Sequence, residues 1–222
     1  MDLAELCSRL RRIQVSSMCD ADKSLAVCDA GIRAMLPDVT VAGPAVTVRA
    51  DGDLLGMVAA LGVAASGSVL VVESGGDPRA CSGELFAGEA ARAGLAGIVI
   101  DGFCRDLRGI RRVGLPVFAR GATPMAGTMS GPAVVGGPVR FGGVDVRPGD
   151  LVFGDDDGLV IAAADRFAAA LAKAEEIERT EAAVAEAMAA GRGLHELTNA
   201  AEHLQACAEG RASTFGYRLP AG

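Results

Sequence analysis

The chain has 222 residues, half of them apolar, with no tryptophan, seven phenylalanines, one tyrosine and a formal net charge of −7. That length makes one large domain or two small ones and allows a sizeable core, built here from Ala, Val, Leu and Gly rather than from aromatics. The acidic balance argues against binding a polyanion, and the densest basic cluster, Arg9, Arg11 and Arg12, reads as a solvated helix face. No run approaches eighteen apolar residues, so a membrane span is not expected, and the acidic start, Met1-Asp2-Leu3-Ala4-Glu5, does not resemble a signal segment. The cysteines at 7, 19, 28, 81, 104 and 207 form no C-x-x-C pair and read as reduced thiols of a cytoplasmic protein, with no zinc site implied.

In chain order, residues 1–36 show apolar positions at helical spacing, most regularly Leu3, Leu6, Leu10 and Ile13. Pro37-Asp38 breaks that pattern. Val39 to Arg49 reads as a strand pair interrupted at Gly43-Pro44, because proline cannot donate to a central ladder. Asp51-Gly52-Asp53 is a turn able to cap a helix from Leu54 to about Ala65. Ser68 to Glu73 is a short buried strand. The next stretch, Gly83 to Asp106, reads as loop, helix, strand (Ile98-Val99-Ile100) and loop.

A strand–helix–strand crossover makes the two strands parallel and brings the start of the helix and the end of the second strand to one edge of the sheet. Ligands of open α/β sheets collect at that edge. Glu84, Arg105 and Asp106 are thereby expected to be neighbours. Two carboxylates suit Mg²⁺ or Mn²⁺, an arginine offers a fork for a carboxylate or enolate oxygen, and the first-turn amides of Leu85 and Phe86 add an anion site. An Arg-Asp pair after a strand is also what an ordinary surface turn carries, and Cys104 beside Arg105 is read as a small filler rather than an activated thiol.

Farther on, Leu107 to Arg112 reads as a short helix and Leu115 to Ala119 as a strand that starts or edges a sheet at Pro116. Gly121 to Gly131 is a long loop of the kind that covers sites. Short strands at 134–135, 139–141, 144–146, 151–153 and 159–161 are expected to pair antiparallel in a second sheet. Residues 164–190 form a strong Ala/Glu helix stopped at Gly191, with a further helical turn or two at 199–208 and a fraying end, Tyr217 to Gly222. Gly75-Gly76-Asp77 reads equally as a ligand approach or a turn. Asp155-Asp156-Asp157-Gly158 lacks the alternating ligands of a calcium loop and reads as a turn. His195 and His203, both in the tail, show no Ser or Cys partner in register, and no phosphate-binding glycine motif is present.

Glu84, twenty intervening residues and Arg105-Asp106 resemble the acidic-x20-Arg-Asp signature of the RraA-like proteins. Cys19-Asp20-Ala21, Gly43-Pro44-Ala45-Val46-Thr47, Gly142-Gly143-Val144, Val146 to Asp150 and Asp155 to Gly158 resemble further segments of that family in the same order, from about Cys19 to Ile161. The enzymatic branch is the class II, metal-dependent pyruvate aldolases acting on 4-hydroxy-4-methyl-2-oxoglutarate or 4-carboxy-4-hydroxy-2-oxoadipate. The resemblance implies an α-β-β-α layered fold over residues 1–163, a helical tail over 164–222 making subunit contacts, and a homotrimer or hexamer with sites between subunits.

It also implies roles. Asp106 ligates Mg²⁺ or Mn²⁺, and Glu84 holds metal-bound water. Arg105 binds the keto oxygen of a 2-oxo acid, and the Leu85 and Phe86 amides hold its carboxylate. An acid from a neighbouring subunit completes the site, with Glu178 the best match and Glu175, Glu176 and Glu181 its rivals. Glu84 stands where many enzymatic members carry Asp. Oxaloacetate decarboxylation through the same enolate is a third expectation. Other RraA-like proteins bind and inhibit an RNA-degrading endonuclease. That branch tends to lose the carboxylate at the position of Asp106, which this chain keeps.

Overall fold

The computed structural model describes residues 1–218. In chain order its elements are α1 (Leu3–Leu10), α2 (Val15–Ala21), β1 (Arg33–Ala34), β2 (Val41–Arg49), α3 (Leu55–Val63), β3 (Val69–Glu73), β4 (Ala80–Ser82), α4 (Glu84–Arg92), β5 (Gly97–Asp101) and β6 (Phe103–Cys104). They continue with α5 (Leu107–Val113), β7 (Val117–Ala119), β8 (Gly121–Ala122), β9 (Val134–Val135), β10 (Val139–Phe141), β11 (Val144–Val146), β12 (Leu151–Asp155), β13 (Gly158–Ala162), α6 (Ala164–Ala189) and α7 (Ala200–Ala208).

The main sheet runs β1-β7-β5-β3-β2-β12-β13, with β9 added on β2. Its centre is parallel, as the crossover pattern requires: Val69 faces Gly97 and Glu73 faces Asp101 across β3 and β5. Alternation along these strands separates two cores. Leu70, Val72, Ile98 and Ile100 pack under α3, α4 and α5, whereas Val69, Val71, Val99 and Phe118 pack with Phe141 of the β10–β11 hairpin on the other face. Each of these fully buried aliphatic side chains contributes about 1.5–3 kcal/mol relative to exposure. A third cluster joins Ala42, Leu151, Phe153 and Val160 to α1, α2 and α6, where Phe153 meets Phe167 edge to face at 6.3 Å.

Several elements differ from the sequence expectation. Only 3–10 and 15–21 of the first 36 residues are helical. Residues 22–32 form a loop whose Leu25, Cys28 and Ile32 are buried, pinned by Cys28 N–H donating to Leu159 O and Asp29 N–H to Gly142 O. Val41–Arg49 is one strand, not two. Pro44 lies opposite Leu151, and the flanking bond is Ala45 N–H to Asp150 O at 2.7 Å. That places Pro44 in a non-hydrogen-bonded pair, so its missing N–H leaves no gap in that ladder. β12 and β13 extend the main sheet instead of forming a separate one, and only β10 and β11 pair as an isolated hairpin. The arginine face of α1 is partly tied down, because Arg9 pairs with Glu175 at 2.6 Å and Arg11 donates to Ala42 O.

The start of α3 is fixed by Asp53. Its carboxylate accepts from Leu55 N–H, Thr128 Oγ1, Ser130 N–H and Gly131 N–H at 2.7–2.9 Å. The Leu55 amide, with the Ser130, Gly131 and Thr128 donors, holds this carboxyl well below the usual range against the opposing effect of burial. The long loop before β9 is thus tethered to α3.

The tail folds back on its own chain. Glu178 of α6 accepts from Gln14 N–H at 2.6 Å and Ser17 Oγ at 2.8 Å, capping α2 from outside. Glu178→Ala is expected to cost about 1 kcal/mol, the usual loss of a helix cap, read as a lower denaturation midpoint with an unchanged denaturant slope. The segment after α7 returns to the start of that helix, with Thr198 bridged to Tyr217. Of the end expected to fray, 219–222 lie outside the described residues.

Candidate active site

Glu84 is the first residue of α4, and Gly83 is the N-cap. Asp106 is the N-cap of α5 and sits in the left-handed region at φ 59, ψ 40. Asp is among the few side chains that tolerate that region. The two helix starts are brought together by a small parallel sheet, β4-β6-β8, in which Ser82 faces Cys104 and Arg105 N–H donates to Ser82 O at 2.9 Å. This sheet of two- and three-residue strands stands beyond the carboxyl ends of β3 and β5. It has no periodicity in the sequence that would reveal it.

The geometry gathers the expected residues. Asp106 Oδ2 lies 3.4 Å from Arg105 Nε and 3.4 Å from the Glu84 amide. The Glu84 carboxylate turns toward α5, where Oε1 accepts from Arg112 at 2.8 Å. A Cβ at Gly109 would stand 2.2 Å from that carboxylate, so the glycine leaves the space in which Glu84 lies. A Cβ at Gly83 would likewise meet Asp106 Oδ2 at 2.5 Å. The Leu85 and Phe86 amides have no acceptor among the described residues, as expected for a first helical turn.

Beside them lies a cavity of about 480 Å³ between α3, α4 and the 121–131 loop, which the Glu84 carboxylate does not line. Arg105, Asp106, Gly83, Leu85 and Phe86 all line it. So does Ser82, which sequence reasoning passed over. Ser82 is 2% exposed and its hydroxyl is the one buried side-chain polar atom with no hydrogen-bond partner among the described residues.

Within one chain, the other candidates lie away from the site, which leaves the expectation of Glu178 from a neighbouring subunit as it stood. Glu178 belongs to the helical layer over β12 and is engaged with α2. Gly75 and Gly76 form a turn of positive φ, followed by Asp77, whose carboxylate pairs with Arg79 at 2.6 Å. Asp155 to Gly158 is the turn between β12 and β13, and Asp155 Oδ2 accepts from Val15 N–H at 2.8 Å. His203 does have partners, contrary to expectation: Ser213 Oγ lies 2.9 Å from Nδ1 and Cys207 Sγ 3.8 Å from Nε2, all on the exposed tail.

Cys104 is fully buried, and burial pushes its thiol up to about 11, as it does for Cys81; burial likewise takes Cys28 up to about 12. A thiol reagent at neutral pH is therefore expected to modify the exposed Cys207 first, with Cys28, Cys81 and Cys104 reacting only after denaturation. Timed alkylation with peptide mass mapping checks this.

Residues 15–161 match the RraA-like (Aldolase/RraA) family. A protein of Halalkalibacterium halodurans named "Putative 4-hydroxy-4-methyl-2-oxoglutarate aldolase" is 36% identical over 159 residues, covering 71% of this chain and 76% of its own. A Streptomyces coelicolor structure, described as an unusual member of the RNase ES inhibitor RraA protein family, superposes with a TM-score of 0.68 at 31% identity, over 80% of this chain and 93% of that one. A Geobacillus kaustophilus structure described as an S-adenosylmethionine:2-dimethylmenaquinone methyltransferase gives 0.64 at 32% identity, over 68% and 95%. Relatives of this chain thus bear names of three different activities, and function has to be argued from the site. With a match across most of its folded core, the chain belongs to the RraA-like family.

Proposed function

We propose that the chain is a metal-dependent lyase that breaks or forms the C3–C4 bond of a 4-hydroxy-2-oxo acid through a pyruvate enolate. The observation that carries this reading is the convergence of Arg105, Asp106 and the unpaired Leu85 and Phe86 amides on one cavity, with the Glu84 amide beside Asp106 and its carboxylate turned toward Arg112. The aldolase name borne by the Halalkalibacterium relative supports it.

The donor set fits a hard divalent cation. Among the described residues no three His, Cys, Asp or Glu side chains gather as a metal cage. Asp106, with Glu84 acting through water, is instead the sparse oxygen pair that suits Mg²⁺ or Mn²⁺, ions that keep several waters. When bound, such an ion supplies Lewis-acid polarisation of the 2-oxo acid.

The chain's own groups do the rest. The Arg105 guanidinium binds the keto oxygen and stabilises the negative charge that develops there. The Leu85 and Phe86 amides hold the carboxylate at the positive end of α4. Glu84, steadied by Arg112, takes the proton of the 4-hydroxyl through water. The C3–C4 electrons pass into the enolate, C4 leaves as a carbonyl compound, and protonation at C3 gives pyruvate. Loss of CO₂ from oxaloacetate yields the same enolate. Neither lysine is needed: Lys23 pairs with Asp20 and Lys173 with Glu176.

Gly109→Ala, which drives Glu84 from its position, is expected to lower kcat roughly tenfold through misplacement while the melting curve stays in place. Pyruvate release and a thermal melt measured on the same preparation check this.

The assembly belongs to the same proposal, a homotrimer or hexamer with α6 and α7 at the contact. A role for Glu178 across a subunit boundary would break its bonds to α2, whereas the Glu181 carboxylate has no hydrogen bond among the described residues to break. The test is pyruvate release from oxaloacetate and from 4-hydroxy-4-methyl-2-oxoglutarate, coupled to lactate dehydrogenase, with Mg²⁺ and with EDTA. Release that survives EDTA sinks the mechanism. Failure of Mg²⁺, pyruvate and oxalate to bind at all turns the reading toward a non-catalytic regulator of an RNA-degrading endonuclease, which the description of the Streptomyces structure would then favour.

A further inference from the structure

Outside the candidate active site, the tail gathers two side chains of the kinds that ligate metals. His203 and Cys207 stand one turn apart on α7, so both project from one face of that helix. Cys207 Sγ lies 3.8 Å from His203 Nε2. Zinc–sulfur and zinc–nitrogen bonds of about 2.3 and 2.0 Å, at a tetrahedral angle, put the two ligand atoms about 3.5 Å apart. The pair is thus close to the bite of a chelate. Cys207 is also the one exposed cysteine of the six, open to an ion from solvent.

The imidazole is aimed by its other neighbours. Ser213 Oγ lies 2.9 Å from Nδ1, and the Phe215 ring meets the imidazole edge-on with centroids 5.9 Å apart. Donation of Nδ1–H to Ser213 leaves the Nε2 lone pair facing Cys207. A hydrogen bond on the far nitrogen is the usual support of a metal-ligating histidine. The spacing is local to one helical turn, so it does not depend on what α7 meets in an assembly. No third His, Cys, Asp or Glu joins the pair among the described residues, which leaves the other positions to water.

We propose that His203 and Cys207 form a chelating site for Zn²⁺, separate from the oxygen-donor pair read above as a Mg²⁺ or Mn²⁺ site. Thiolate and imidazole select a borderline ion such as Zn²⁺ over Mg²⁺. Binding forms the Zn–S and Zn–N bonds and releases the thiol proton to solvent. Two protein ligands completed by water make an exchangeable site, unlike the closed four-ligand kind that holds a fold together. Because Ser213 belongs to the segment after α7, the bound ion also pins that segment to the helix.

The experiment titrates the reduced full-length chain with Co²⁺, a spectroscopic stand-in for Zn²⁺. A cobalt–thiolate bond gives a charge-transfer band in the near ultraviolet, which oxygen ligands at Asp106 do not produce. The expected result is such a band, abolished by competing Zn²⁺ and by Cys207→Ser. His203→Gln is expected to weaken Co²⁺ binding at least about tenfold, and Ser213→Ala roughly tenfold with the band retained, the usual loss when the outer partner of a ligand is removed. Absence of the band from the wild-type chain, or its survival in Cys207→Ser, overturns the inference. Unchanged affinity in His203→Gln overturns it as well, since a lone thiol then accounts for the binding. None of these outcomes bears on pyruvate release, so the enolate reading stands or falls separately.

Discussion

Asp106→Asn is expected to abolish Mg²⁺-dependent pyruvate release, by on the order of 10³-fold or more, in a protein that remains folded. Asn is the informative replacement because it keeps the shape and tolerates the left-handed backbone at φ 59. Alanine there would add about 1 kcal/mol of backbone strain and mix a folding effect with a chemical one. Asn removes the negative charge that a hard cation needs, while retaining an oxygen 3.4 Å from the Arg105 guanidinium and the Glu84 amide. The comparison is pyruvate release and Mg²⁺ affinity by calorimetry. Wild-type turnover in the Asn variant would remove Asp106 from the mechanism.

Arg105→Lys is expected to lower kcat roughly 10²-fold, and Arg105→Ala up to about 10³-fold, as when a preorganised stabiliser of developing negative charge is removed. Lysine retains charge but not the planar fork, so it can neutralise an enolate oxygen without sharing two directed donors with it. The Arg105 amide, not its side chain, makes the contact to Ser82 O, and the side chain is partly exposed, so the small sheet carrying the site should survive either change. A KM rise with unchanged kcat would show instead that Arg105 only binds the substrate.

The sheet centre was legible because β3 and β5 are apolar runs buried on both faces, the pattern of parallel strands under helices. The meeting of Glu84 with Arg105 and Asp106 followed from that crossover. Residues 22–36 misled because Leu25, Ile32 and Leu36 are apolar at near-helical intervals, yet they are buried from a loop held by backbone bonds to Leu159 and Gly142. Gly43-Pro44 misled because a proline weakens a ladder only where its nitrogen faces a partner, and pairing with β3 begins one residue later, at Ala45. β4, β6 and β8 are too short for any period to emerge. Ser82 could not be found at all, since a serine before a glycine reads as a turn, and only three-dimensional burial shows that its hydroxyl has been left without a partner.

The carboxylate of Asp53 gives the cavity a particular character. By holding Thr128, Ser130 and Gly131 to the first turn of α3, it makes the wall bearing Leu54, Val58 and Met129 one piece of masonry rather than a flap. Ligand choice is then set by side-chain length at fixed positions, not by the travel of a loop. Val58 and Met129 touch neither Asp106 nor Arg105 in the hydrogen-bonding and ionic contacts of the site. On the proposed mechanism, one or two substitutions on this wall change the acceptor and leave the enolate chemistry intact.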